Sequence, residues 1–461
     1  MKTIANLLLA TLFVAVFGLT ETPAQSATGT EIWSPVGPRG ISPHWTYNPE
    51  LEFDTDGKPV VAYIDPTTDK PTVKKFDGTQ WNALGTESFT LMEASSISFS
   101  ITPAGSIYLA MVMDDSIAVR QWNGSSWASV GGTYASPGGG AKPVLECSPS
   151  GTLYLAFMDY YDLSHWGDPR VMMYDGSWTP IGYPGFSDIM PYKIDLAFVG
   201  GQIYFGAKEG NWGDKHIGVY TYDGQGWSTL DDPVLDGGHY NFSLEGTSGG
   251  ELFLAYTDGD QDSKLTVREW SGGSWTSLGS PGMGDDYVFQ LDMSMTPLGY
   301  PIVAVVEGNA EELCVYEYIN GSWTDRTPAP LNGQAAFYGS GVDLEFSDPG
   351  YAHVAIQDDW ALHAVSVFIN AGSISVPEWE PDKAFGLWPN PTTGQFYLQW
   401  NEGTNPVTCR VYDTSGRIMA EGESMPRQQT EVGLSGCRSG VYYVESVSGR
   451  SREVRRIIIA P

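Results

Sequence analysis

PVVAYID at 59–65, TVKKFDG at 72–78 and WNALG at 81–85 stand in line along one short segment. The first is an apolar run centred on a small residue, Ala62. The second ends in an aromatic, Phe76, and then Asp77-Gly78, a dipeptide that tolerates positive φ and closes a two-residue hairpin. The third opens with Trp81 and ends on a glycine. Short strands parted by turn residues read as antiparallel sheet, and the alternation has period two where a helix would need a period near 3.6.

The same three elements recur along the chain. Trp33, Trp81, Trp127, Trp178, Trp227, Trp275 and Trp323 return about every 48 residues. All but Trp33 follow a turn pair: Asp77-Gly78, Asn123-Gly124, Asp175-Gly176, Asp223-Gly224, Ser271-Gly272 and Asn320-Gly321. A column of small residues, Ala62, Ala110, Ala156, Gly206, Ala255, Ala304 and Ala355, implies close approach of a neighbouring sheet in every unit. Four short strands per unit of about 45 residues, called a to d here, is the pattern of propeller blades. Trp33 begins a lone d strand, whereas residues 342–369 supply a, b and c strands without a tryptophan-led d. The expected fold is all-β: a seven-bladed β-propeller closed by the N-terminal strand, which removes two sheet edges. The tryptophans are then structural. Each buries about 150–250 Å2, worth at most about 4–6 kcal/mol.

Tyr-Asp-Gly-x-x-Trp resembles the tail of a kelch-type repeat of the galactose-oxidase-like propellers, though the Gly-Gly doublet of those repeats is missing. The resemblance implies architecture and no substrate.

Composition agrees with an all-β chain: 461 residues with 55 Gly, 30 Pro and 13% aromatics. The formal net charge of −31 falls almost wholly between residues 28 and 380. A surface that acidic repels phosphate, so nucleic acid is not an expected partner. Lys2, the apolar stretch Ile4–Leu19 and Thr22-Pro23-Ala24 read as a signal peptide over 1–24, with a membrane anchor as the alternative. No later segment is long and apolar enough to span a bilayer. The expected order is signal peptide 1–24, propeller 28–376, linker 377–385 and a C-terminal domain 386–461. Cys147 and Cys314 fall in different repeats and read as buried small hydrophobes. Cys409 and Cys437 share the C-terminal domain, where pairing stays open.

The C-terminal segment carries Pro389-Asn390-Pro391-Thr392-Thr393-Gly394, then Asp413 with Gly416-Arg417, then Gly440-Val441-Tyr442 and a basic tail ending in Ile457-Ile458-Ile459. Short strands between Gly, Asn and Pro turns make it a small Ig-like β-sandwich. In that order, Pro389, Asn390, Pro391, Gly394, Gly416, Arg417, Gly440 and Tyr442 resemble the C-terminal sorting domain of type IX secretion substrates, with arginine near the end where lysine is common. The resemblance implies the type IX secretion machinery as a partner. It implies a chain secreted or anchored on the outer-membrane surface. An ordinary Ig-like adhesion module is the alternative.

In a four-stranded blade the b-to-c and d-to-a loops share one face. Three residues past each central small residue stand Asp65, Asp159, Glu209, Asp258, Glu307 and Asp358, with Asp114 displaced by one in the second blade. These acids, with the loop aromatics Trp45, Trp166, Trp212 and Trp360, are the candidate ligand-binding residues. Rings stack on sugar CH faces and acids accept hydroxyl hydrogens. The competing reading makes the acids turn formers and the rings loop packing. Asp258, Asp260 and Asp262 are spaced as in a calcium loop, although Ser263 stands where the glycine is required. No other cofactor is indicated. No metalloprotease, nucleophile-elbow, phosphate-loop or sialidase box occurs, and no catalytic residue is assigned. The expected function is a monomeric binding protein for a glycan or protein. A carbohydrate-active hydrolase or lyase using two rim acids, or a structural surface-layer component, are the alternatives.

Overall fold

The computed structural model describes residues 33–46, 49–136, 138–160, 167–183, 186–187, 191–209, 216–230, 241–247, 249–296, 299–308, 312–319, 321–327, 341–347, 351–358, 361–370, 385–388, 395–400, 407–413, 418–424, 430–434, 440–448 and 451–459. Residues 1–24, read above as a signal peptide, lie outside them. No helix among them is long and apolar enough to cross a membrane.

Seven four-stranded antiparallel sheets follow one another. The first runs a to d as Glu50–Phe53, Pro59–Asp65, Lys70–Phe76 and Trp81–Ala83. The inner strands of the next six are Ile97–Ile101, Gly140–Cys147, Lys193–Val199, Phe242–Gly246, Val288–Met295 and Val342–Phe346. In the seventh sheet Trp33–Pro35 takes the outer place beside Ala364–Asn370, with Trp33 opposite Asn370. Five of the turn pairs, Asp77-Gly78 through Ser271-Gly272, each join a c strand to the d strand that carries its tryptophan, as the sequence suggested, and Asn320 of the sixth lies outside the described residues.

The small-residue column sits where blades press together. All six alanines of the column are fully buried. Gly206 faces the next sheet so closely that a Cβ there would stand 2.7 Å from Phe242 Cε2. Apolar clusters accordingly bridge sheets. Val60, Ala62 and Val73 of the first pack with Phe99, Leu109 and Met111 of the second. Leu51, Val61 and Tyr63 of the first pack with Ala355, Val365 and Val367 of the seventh.

The tryptophans add a polar latch. Trp127 Nε1 donates to Leu84 O at 2.8 Å, Trp178 to Val130 O at 3.0 Å and Trp227 to Ile181 O at 3.0 Å, each acceptor in the preceding sheet. Trp81 reaches Val36 O at 2.9 Å, and Trp33 reaches Arg326 O at 3.1 Å, so the latch also spans the joint between first and last sheets. Trp275 Nε1 is buried without a partner among the described residues.

The C-terminal segment forms two sheets. One orders Phe385–Trp388, Gln395–Trp400 and Thr430–Gly433. The other orders Ile418–Ser424, Val407–Asp413, Gly440–Ser448 and Ser451–Ile459. Phe396, Val411, Leu434, Tyr442, Val444 and Ile457 fill the core between them. Gly440 opens a strand, while Pro389, Asn390, Pro391, Gly394, Gly416 and Arg417 lie outside the described residues. Cys409 is a buried free thiol that burial pushes up to about 12, and Cys437 lies outside the described residues.

Candidate functional site: the mouth face and the central channel

The acids at the b-strand exits turn inward. Asp65 Oδ1 accepts from Thr67 N at 2.8 Å and from its hydroxyl at 2.6 Å. Asp159 pairs with Arg170 at 2.7 Å, and both Glu209 oxygens accept from Tyr220 Oη at 2.9 and 3.0 Å. Asp258 accepts from Thr266 Oγ1 at 2.8 Å, Glu307 from Tyr316 Oη at 3.0 Å, and Asp358 from Arg39 Nε at 2.6 Å. These six carboxylates are buried; Asp159, Glu209, Asp258 and Glu307 are held by the c strand of their own sheet, and Asp65 and Asp358 by loops of their own face. Asp114 differs: it is exposed, in a two-residue turn with Asp115 at φ 51° and 53°.

The calcium-like spacing folds otherwise. Gly259–Gln261 is a single 3-10 turn capped by Asp258, and Asp262 adopts a left-handed conformation. Asp258 is committed to Thr266 and to Asp260 N. Among the described residues no group of three or more such side chains is arranged to hold a metal ion. The loop aromatics divide. Phe89 stacks on Trp127 at 4.8 Å and Phe186 on Trp227 at 4.9 Å, so both pack their loops onto the following sheet. Trp45 is 45% exposed. Trp166, Trp212 and Trp360 lie outside the described residues.

The face itself is unusually apolar for so acidic a chain. Trp45, Leu91, Met92, Tyr183, Tyr192, Phe289 and Leu362 are the exposed large hydrophobic side chains among the described residues of the propeller. All stand on d-to-a loops, on a b-to-c loop or at the start of an inner strand. A bulge between Val288 and Gln290 turns Phe289 outward. Leu362 is held out at φ 58°, a conformation unusual for a bulky residue.

Residues of the seven inner strands line a central cavity of about 500 Å3. Its wall holds eight carboxylates, Glu50, Glu52, Glu146, Asp195, Glu245, Asp292, Asp343 and Glu345, against two lysines, Lys142 and Lys193. Sequence reasoning placed the charge on the rim and missed this set. The register explains the alignment. Opposite the small column stand Glu50, Ser98, Val144, Asp195, Ser243, Asp292 and Asp343. Two residues on come Glu52, Glu146, Glu245 and Glu345, a second tier about 7 Å along the strands.

The first tier clasps neighbouring sheets. Asp343 accepts from Leu51 N at 2.6 Å, Asp195 from Leu244 N at 2.9 Å and Asp292 from Leu344 N at 2.8 Å. Ser98 accepts from Leu145 N at 2.9 Å and Ser243 from Met293 N at 3.3 Å, while Glu50 accepts from Phe99 N. Each donor is the residue after the equivalent position in the next sheet. Only Val144 cannot take part, and there Leu196 N is served by Asp195 Oδ1 at 2.9 Å.

Crowded carboxylates between sheets resist ionisation. Burial, with the charges of Asp292 and Asp195, pushes Glu50 up to about 8 against the pull of Phe99 N–H and Lys193. Burial, then Asp292, pushes Glu345 up to about 8. Burial raises Asp195 to about 6, with Lys193 opposing. Burial first, then the neighbouring carboxylates Glu345, Asp195 and Asp292, holds Glu52, Glu146, Glu245 and Asp343 well above the usual carboxylate range. The channel thus offers both protonated carboxyls that donate hydrogen bonds and carboxylates that attract cations.

Residues 386–460 match the family described as secretion system C-terminal sorting domain. The chain is therefore a secretion substrate by its C-terminal segment. No curated protein matches it. Among solved structures it is similar to an Aleuria aurantia lectin in complex with Fucα1-6GlcNAc, 15% identical over 61% of this chain and 97% of that one, TM-score 0.40. It is similar to a Penicillium chrysogenum α-L-arabinanase complexed with arabinobiose, 17% identical over 74% and 96%, TM-score 0.43. A PL25 ulvan lyase is 12% identical over 73% and 96%, TM-score 0.47. What these proteins bind or cleave is a property of theirs.

Proposed function

We propose that the chain is a secreted binding protein whose propeller receives a glycan or protein ligand on the face bearing the b-to-c and d-to-a loops. The observation that carries this reading is the confinement of the propeller's exposed large apolar side chains, among the described residues, to that one face around the channel. Exposed apolar surface of this kind marks interaction sites. Type IX export and display or release at the outer-membrane surface, after removal of residues 1–24 as a signal peptide, belong to the same reading. So do the kelch-type character of the blades, ring closure by Trp33–Pro35, and an Ig-like C-terminal sandwich. The Trp33–Asn370 pairing and the cluster joining Leu51 to Val365 support closure.

The rim acids Asp65, Asp159, Glu209, Asp258, Glu307 and Asp358 then act by fixing the loops that present the ligand surface, and Trp45 and Asp114 contact the ligand. Screening the secreted chain against glycan arrays and surface-protein extracts tests the reading. Binding should fall when Trp45 or Leu91 is replaced by serine. Binding unaffected by every substitution on this face would overturn it.

A second reading has its own support. Glu50 and Glu345, held up to about 8, remain protonated at neutral pH, as a general acid for glycosidic cleavage requires. Release of reducing ends from a polysaccharide, abolished by Glu50→Gln, would establish an enzyme in place of a binder.

A further inference from the structure

We propose that the mouth face docks a basic segment of another protein, which seats a lysine or arginine side chain in the channel while its apolar neighbours cover Leu91, Met92, Tyr192, Phe289 and Leu362. This rests on the binding reading above and names its partner.

The surface comes first. Leu91 is 97% exposed and Leu362 75% exposed, which no packing role within the propeller explains. Leu362 keeps that position through a left-handed backbone at φ 58°, followed by His363 at φ 62°. Aliphatic and methionine side chains beside tyrosine and phenylalanine match the composition of protein interfaces, where aromatics and methionine are enriched. A sugar site draws mainly on aromatic faces and gains little from Leu91, Met92 and Leu362.

Charge then selects the occupant. Tyr192 lines the cavity and Phe289 adjoins Gln290, which also lines it, so the apolar surface runs to the edge of the acidic wall. Eight carboxylates against two lysines favour a cation and reject an anionic partner. The first acidic tier lies three residues, about 10 Å, down the inner strand from Tyr192 and the second about 7 Å further, so the basic segment dips its backbone into the channel mouth to bring the lysine or arginine to them. The entering cation also relieves the mutual repulsion among Asp292, Asp343, Glu50 and Glu345, so seating it draws protons out of the channel.

The test titrates the secreted chain with a short peptide of alternating leucine and lysine, by calorimetry in two buffers of different ionisation enthalpy. A leucine–glutamate peptide and a glucosamine oligomer serve as comparisons. The lysine peptide should bind, release protons and weaken with added salt. Glu146→Gln with Glu245→Gln, which removes two acids that ionise to meet the entering cation and keeps their shape, should lower its affinity about ten-fold without lowering the unfolding temperature, and Leu91→Ser should lower it too. Equal binding of the glutamate peptide, or indifference to Glu146→Gln with Glu245→Gln, overturns the proposal even where Leu91→Ser weakens binding and the binding face stands. A glucosamine oligomer that binds where the peptide does not also overturns it, in favour of an amino-sugar ligand. If no probe, glycan or extract responds to any substitution on this face, the binding reading itself fails.

Discussion

Replacing Asp343 by alanine and by asparagine separates the two jobs of a channel carboxylate. Asp343 Oδ2 accepts from Leu51 N at 2.6 Å across the joint between seventh and first sheets. Leu51 is 2% exposed, so water does not readily take over its amide. Alanine leaves that N–H without its acceptor, a loss of about 1–3 kcal/mol. Asparagine keeps a carbonyl oxygen at the same reach and removes the charge that Asp292, Glu50 and Glu345 repel. Asp343→Asn should therefore match or exceed the parent in stability at pH 7, while Asp343→Ala falls below it.

Urea unfolding followed by tryptophan fluorescence measures the difference, and hydrogen exchange at Leu51 reports the bond itself. The amide should stay protected in Asp343→Asn and lose protection in Asp343→Ala. If the two variants lose the same stability, the contact does not act as a hydrogen bond and the clasp account fails. If neither moves the urea midpoint, the first tier does not hold the sheets together.

Three further outcomes follow from the same geometry. Glu50 and Glu345, near 8 when folded and near 4.5 when unfolded, give stability that is full at low pH and lost as pH rises through 8. Burial holds His353 down at about 4, and that group costs stability only below about 6.5. The melting temperature should thus rise as pH falls from 8.5 to 6.5, and a flat or falling profile in that window would contradict the carboxylate assignment. Arg39→Ala removes the partner of Asp358, which is 2% exposed; with Arg39 itself partly solvated, a loss of about 1–3 kcal/mol is expected by urea unfolding. Gly206→Ala should cost about 1–3 kcal/mol by the same measure, because the new methyl meets Phe242 at 2.7 Å, and Phe242→Leu should restore most of it.

The blades were legible because their signals are local. Asp-Gly and Asn-Gly specify hairpins whatever surrounds them, and a tryptophan two or three residues beyond such a turn has one sheet to join. Gly206 shows where locality ends. The sequence marks it as one of a small column, yet it is glycine because Phe242, a residue of the next sheet, is the bulkiest at a position held elsewhere by Ile97, Ile194, Leu291 and Val342. The exit acids invited a similar misjudgement. Carboxylates at Asp159 and Glu209 were visible as a column, while their partners Arg170 and Tyr220 lie across a strand pair that only the register brings together.

The channel charge escaped for a deeper reason. An acid at alternate positions of a short strand looks the same whether that side of the strand meets bulk water or a closed lumen, since both are polar. The distinction is available only through pairing. Each small b-strand residue faces one inner-strand residue, and reading Glu50, Asp195, Asp292 and Asp343 off that register turns scattered acids into one ring. Such a ring costs electrostatic energy that no loop residue would incur. Its clasps onto Phe99, Leu244, Leu344 and Leu51 offset part of that cost at the sheet joints. Serine makes the same clasp without charge at Ser98 and Ser243. The joints therefore do not require acids, and the charge of the channel is left for the proposed cationic occupant to account for.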